Sequence, residues 1–294
     1  MPNPLAEVFG FPPDNFSREA KRYRNGKLCP YNNKVPNCTK DKAIDPLGVC
    51  TIFEDGSGTT AITCPVRFRE DWLIAEDASN FFFPPGTAWT SLTEVRLKDG
   101  NGQSAGNIDV VLVSYDTQGR ITDFGSLEVQ AVYISGNVRN PFADYMRNPK
   151  ERACVDWDGV NYPRADYLSS SRKRLAPQMI YKGGILKAWG KKQAVALHKG
   201  FYETLPQLPE VPPEQAEIAW FLYDLEFDKE RNRFRLILDR VIYTAFEPAL
   251  LKITTAPAGP IEDFIAILQL KLDDQLNNSP VAPTLQDMLS GSNQ

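Results

Sequence analysis

Histidine is almost missing from this chain: among 294 residues there is one, His198. That excludes chemistries needing two or more imidazoles, HExxH zinc hydrolysis and HNH-type metal nucleases among them. A Ser-His-Asp or Cys-His mechanism would have to rest on His198, which has no nucleophile elbow nearby. Its surroundings, KKQAVALHKG, read as a basic, helix-like run and predict a surface or phosphate-contacting histidine. Long apolar runs are also missing, and nothing approaches the ~18 residues of a membrane span. The opening MPNPLAEVFGF lacks the basic and apolar regions of a secretory leader, so the expected compartment is the cytoplasm. No GxxxxGK[ST] phosphate loop occurs. GNGQSAG (100–106) imitates a dinucleotide fingerprint but precedes a strand instead of following one.

What is present suits a folded enzyme with an uneven charge. Apolar residues make up 42% and charged ones 24%, enough to bury a sizeable core. The net charge is only −4, yet residues 164–199 carry nine basic side chains and one acid, Asp166, while 200–294 carry seven basic and fifteen acidic. Such segregation fits a polyanion groove, where cations neutralise phosphates and release counterions. The aromatics Tyr167, Tyr181 and Trp189 lie within that basic block.

Patterning divides the chain. Residues 1–75 are rich in proline and glycine and hold four of the five cysteines. A helix is expected from near Asp14, in DNFSREAKRYRNGK, with Arg18, Lys21, Arg22, Arg24 and Lys27 along it. NIDVVLVSY (107–115) and ITDFGSLEVQAVYI (121–134) flank the turn-like Asp116-Thr117-Gln118-Gly119 and predict a hairpin. From 141 to 205 the pattern turns helical, with breaks expected at Asn148-Pro149 and Gly183-Gly184. LPQLPEVPPE (205–214) reads as an extended connector, followed by a second hairpin through EIAWFLYDLEF and RFRLILDRVIYTAF. An amphipathic helix over 260–276 and a frayed tail close the chain.

Two constellations carry chemistry. The first is Cys29-x8-Cys38-x11-Cys50-x13-Cys64. Four thiolates bind borderline cations tetrahedrally, and a loop-rich segment with a thin core gains folding energy from them. The spacing is not the paired CxxC type, so buried reduced thiols remain open beside a metal site, with zinc the default and iron also possible. Cys154 stands apart and reads as a core residue. The second constellation lies on the hairpin. Glu128 and Gln130 share a strand face, and Asp109 sits early on the partner strand, from where its carboxylate can converge with Glu128. Two carboxylates so close favour a divalent cation. Glu94, fifteen residues before Asp109, offers a third acid.

AEVFGFP (6–12), LCPYNNKVPNCTK…DPLGVC…AITCPVRF (28–68) and NIDVVLVSYD…DFGSLEVQAVYISGNVRNPF (107–142) together resemble the NotI family of type II restriction endonucleases. The resemblance is strong over about the first 140 residues and covers only the general layout from 150 to 276. It implies an α/β fold, a mixed central sheet flanked by helices (a restriction-endonuclease-like PD-(D/E)xK core), with a small loop-rich N-terminal four-cysteine metal module. The implied domains are the module at 1–75, the nuclease domain at 76–276 and a flexible tail at 277–294. Cys29, Cys38, Cys50 and Cys64 would hold a structural iron, with zinc second. Glu94, Asp109, Glu128 and Gln130 would be the catalytic set, with Asp109 and Glu128 binding Mg²⁺. Gln130 stands where the superfamily motif has lysine, and Ile108 where it has proline.

The implied activity is Mg²⁺-dependent cutting of duplex DNA at a palindromic, GC-rich site by a homodimer in the bacterial cytoplasm, beside a cognate DNA methyltransferase. Arg172, Lys173, Arg174, Lys182, Lys187, Lys191 and Lys192 would contact the DNA. A metal-stabilised DNA-binding regulator without catalysis and a non-specific repair nuclease on the same core are the competing readings.

Overall fold

The computed structural model describes residues 3–32, 36–41, 44–54, 58–157 and 161–277. They fall into two compact units, Met1–Thr254 and Thr255–Gln294. The first begins with a small antiparallel sheet of β1 (Leu5–Val8), β2 (Val49–Phe53) and β3 (Thr60–Ile62), in the order β1-β2-β3. Between β1 and β2 lies helix α1 (Arg18–Asn25). Ser17 caps it by accepting a hydrogen bond from the Ala20 N–H, so the helix starts later than the earlier cap candidate Asp14. This region is tied to the rest of the unit by an ion network with no exposed atoms at its centre. Arg67 donates to both oxygens of Glu7 (3.1 and 2.8 Å), to Glu70 (2.8 Å) and to the Phe234 carbonyl (3.2 Å).

Helix α2 (Leu73–Phe82) leads into the main sheet, which comprises β4 (Trp89–Lys98), β5 (Ser104–Tyr115), β6 (Ile121–Gln130), β9 (Gln193–His198), β10 (Ile218–Asp228) and β11 (Arg233–Thr244). Their order is β11-β10-β9-β6-β5-β4. Both expected hairpins form, as β5–β6 and β10–β11, and β9 joins them by parallel pairing on both sides. Between β6 and β9 the chain makes a short ladder of β7 (Tyr133–Ser135) and β8 (Arg164–Asp166), with helix α3 (Arg139–Arg147) between them.

The sheet is covered on both faces. Val110, Leu112, Leu127, Val129, Ala194 and Ala196 pack against α2 through Phe81 and Phe82. Val195, Leu197, Trp220 and Leu222 pack on the other face against Leu175, Met179 and Phe246. Leu175 and Met179 belong to a helical run over 167–188 that contains two wide π-type turns, Ser171–Leu175 and Met179–Gly183.

Three expectations need correction. The 141–205 stretch is not helical throughout: it holds β8 and the central strand β9, and His198 ends that strand, buried. A strand covered on both faces shows unbroken apolar sequence instead of alternation, so QAVALH is indistinguishable from a buried helix by period. The helix also runs unbroken through Gly183-Gly184. Gly183 serves close packing: a Cβ there would lie 2.7 Å from the Phe246 ring. Finally, Cys154 is exposed, and its neighbour Ala153 fills the core position beside Phe142 and Tyr145.

The second unit contains a helix, Ile261–Asn277, where the amphipathic pattern predicts one. The expected tail lies outside the described residues beyond Asn277. No described helix is long and apolar enough to cross a membrane.

Candidate active site

Register places the acids. Val110 pairs with Leu127 between β5 and β6, so the next residues along, Asp109 and Glu128, lie opposite each other. Between β4 and β5, Thr93 pairs with Val110 and Val95 with Ile108, which puts Glu94 opposite Asp109. Glu94, Asp109 and Glu128 therefore lie at one level across three adjacent strands. The faces switch at the Glu94–Asp109 level, however: Val110 packs on the α2 face, while Ile108 and Val95 pack with Val111 on the other. In an antiparallel pair without such a switch, directly opposed residues hold their Cβ atoms ~5 Å apart on one face.

The three differ. Glu94 is exposed and has φ +58°, a left-handed conformation that a non-glycine residue rarely adopts in a strand. Strain of this kind collects at functional sites. Asp109 is half-buried, and its Oδ2 accepts from the Val129 N–H at 2.9 Å. Glu128 is 8% exposed, and its Oε2 accepts from Lys182 Nζ at 2.7 Å. Its Oε1 is buried and bonded to no N–H of the described residues, and the carboxyl faces that of Asp109. Burial and the neighbouring Asp109 carboxylate push the Glu128 carboxyl up to about 8, although Lys182 pulls it down.

Gln130, almost wholly buried, donates from its side-chain amide to Gln178. Gln178 and Lys182 lie on the same helical run, and their partners Gln130 and Glu128 are two residues apart on β6. Two strand residues advance about 6.6 Å and four helix residues about 6 Å, so the two elements match rung for rung. The sequence expectation for Lys182 changes here: it is 5% exposed and lies inside the acid site, bonded also to the Asn107 carbonyl at 2.8 Å. No motif marks it in the sequence, because it comes from a different element fifty-four residues after Glu128.

The remaining basic residues separate into two groups. Arg172, Lys173 and Arg174 are exposed, with Arg174 over the Tyr133 ring. Lys187 pairs with Glu217, Lys191 with Asp123 at 2.6 Å, and Lys192 donates to the Phe81 carbonyl at 3.0 Å. His198 Nε2 lies 3.3 Å from Asp224 Oδ1, so its expected surface role gives way to a buried contact at the strand end. Although burial opposes it, bonding from His198 and Lys199 holds Asp224 well below the ordinary carboxylate range.

Cys38, Cys50 and Cys64 are buried and Cys29 half-buried, and none forms a disulfide. The β2–β3 pairing brings Cys50 beside Cys64, and a Leu28–Asn37 bridge brings Cys29 toward Cys38. Burial, helped by the neighbouring Cys64 and Cys38, pushes the Cys29 thiol up to about 11. The four thiols thus face one region. However, among the described residues no group of three or more histidine, cysteine, aspartate or glutamate side chains is set to hold a metal ion, so the expected four-sulfur coordination shell is not assembled. Protonated thiols do not coordinate, and without a cation nothing draws the four sulfurs to bonding distance. The acids form no such group of three either, so Glu94 does not close a site with Asp109 and Glu128. Mg²⁺ needs only one or two carboxylates plus substrate phosphate and water, and the buried Glu128 oxygen that no N–H engages is a ready ligand.

A six-stranded mixed sheet between helices, with opposed acids on its central hairpin, defines a restriction-endonuclease-like protein. A family model described as "Restriction endonuclease NotI" matches residues 14–236, most of the chain. The chain belongs to the NotI restriction endonuclease family, whose activity is site-specific cleavage of DNA. No curated protein matches it.

Proposed function

We propose that the protein cuts duplex DNA at a palindromic, GC-rich site, using Mg²⁺ held by Asp109 and Glu128. The observation that carries this reading is the register that sets Asp109 against Glu128, with one Glu128 oxygen buried and engaged by no N–H. Bound there, Mg²⁺ would polarise the scissile phosphate and lower the pKa of an attacking water. The chain's own residues do the rest. Asp109 is anchored by the Val129 N–H, Glu94 shapes the open end of the site, and Gln130, fixed by Gln178, orients the phosphate or the nucleophile. Arg172, Lys173 and Arg174 contact DNA phosphates outside the site.

A palindrome read twice calls for two copies, so the working form is a homodimer in which each protomer cuts one strand. A cognate DNA methyltransferase would protect the host genome in the bacterial cytoplasm. Residues 1–75 would form the metal-binding module around the four thiols, and 76–276 the nuclease domain. Family resemblance and the convergence of the thiols support a structural iron there, with zinc second. Elemental analysis of the purified protein tests it: iron or zinc near one per chain is expected, and a metal-free folded protein contradicts it.

Digestion of a sequenced DNA in Mg²⁺ and in EDTA tests the main reading. Discrete fragments with one mapped end sequence, formed in Mg²⁺ alone, are expected. A smear would indicate a non-specific nuclease, and a gel shift without cutting would indicate a regulator.

A further inference from the structure

Position 130 is glutamine, which can orient a group but cannot supply charge. A buried cation nevertheless occupies the site, reached from the opposite layer. We propose that Lys182 is the catalytic ammonium of this active site, taking on a role that position 130 leaves open; the inference rests on the nuclease reading above.

Three observations carry it. Lys182 Nζ lies 2.7 Å from Glu128 Oε2, with both side chains almost fully removed from solvent. A buried pair of this kind adds little stability of its own, since well-packed apolar residues serve as well or better. Nζ is fixed from a second direction by the Asn107 carbonyl, at 2.8 Å, two residues before Asp109 on β5. An ammonium has three donors. Among the described residues two are engaged by Glu128 and Asn107, and the third is left for a phosphate oxygen beside the acids.

The local fold is built to deliver the group. Gly183, next in sequence, has its absent side chain facing Phe246 and Gln193, and its carbonyl accepts from the Gln193 amide at 3.2 Å. The helix therefore packs closely on the sheet where Lys182 must reach across. The wide turn Met179–Gly183 includes Lys182, and π-type turns concentrate at functional sites. Lys182 thus holds Glu128 in place and presents a positive charge to the phosphate as negative charge builds up on it. It differs from Arg172, Lys173 and Arg174, which remain on the surface.

The test measures single-turnover cleavage of a mapped site in Mg²⁺, DNA affinity in Ca²⁺, and thermal unfolding. Lys182→Met should cut about 100-fold more slowly, with DNA affinity changed less than about threefold. Moving the charge, in Gln130→Lys with Lys182→Met, should recover at least about tenfold of that loss. Wild-type cutting by Lys182→Met overturns the inference while leaving the nuclease reading standing. So does a parallel loss of affinity, which would make Lys182 a binding cation, or a folded double variant that stays as slow as the single one. If Lys182→Met fails to fold, the double variant decides alone, because it restores a cation beside Glu128. A wild-type protein that never cuts DNA defeats the nuclease reading and the inference together.

Discussion

Glu128 is pulled in two directions, by burial and Asp109 toward the neutral acid and by Lys182 toward the carboxylate. The first pair prevails, so without metal the fold favours the protonated form up to about 8. A carboxyl raised in this way contributes stability that is fully present below its unfolded pKa, near 4.5, and is lost as the pH climbs toward 8. In EDTA, the wild-type melting temperature should therefore fall between about pH 5 and pH 8. Glu128→Gln, whose amide oxygen still accepts from Lys182, should flatten that fall; an identical slope in both proteins would contradict the burial argument. Of this site, Asp109, Glu128 and Gln130 were legible because period two and a short turn fix which residues face each other. Lys182 was visible only as one cation in a basic block. Its role depends on a helix crossing the strand, which no local pattern records.

At the scale of elements, the helical run over 167–188 is held to the sheet by what its residues lack as much as by what they offer. Gly183→Ala gains about 1 kcal/mol of helix propensity. It also forces a methyl to within 2.7 Å of Phe246 and 3.0 Å of the Gln193 side chain. Overpacking of that kind costs about 1–3 kcal/mol, so net destabilisation is expected, together with slower cleavage as Lys182 is carried away from Glu128. Gly184 is the control: a Cβ there meets nothing within 4 Å, and Gly184→Ala should stabilise by about 0.5–1 kcal/mol. Urea denaturation of the two variants checks both signs, and equal shifts would contradict the packing account. The same glycines misled the sequence reading, because a glycine pair that marks a break in one helix marks a close approach in another. The two hairpins were legible from their turns and apolar strands, whereas β9 was not, since burial on both faces erases alternation. In TSLTEVRLKDG, Glu94 was legible only as a third acid, without its strand or its positive φ.

For the whole molecule, the distribution of charge matters more than its sum. The chain is acidic overall, and part of its basic block is neutralised internally, Lys187 by Glu217 and Lys191 by Asp123. Arg172, Lys173 and Arg174 remain exposed on one turn of helix. Replacing all three with alanine should weaken DNA binding and reduce the slope of log affinity against log salt by about 3. An unchanged slope would place the phosphate contacts elsewhere. The four thiols, by contrast, were legible as a set but not as a finished centre, because coordination geometry follows the ion and not the sequence. The central claim is that charge on the acids opposed across β5 and β6 drives phosphodiester hydrolysis. Asp109→Asn tests it most directly, since the amide oxygen can still accept from the Val129 N–H and preserve the strand pairing. With Mg²⁺ and a mapped site, cleavage by Asp109→Asn should fall at least about 100-fold while DNA binding persists. Cutting at the wild-type rate by a folded Asp109→Asn protein would contradict it.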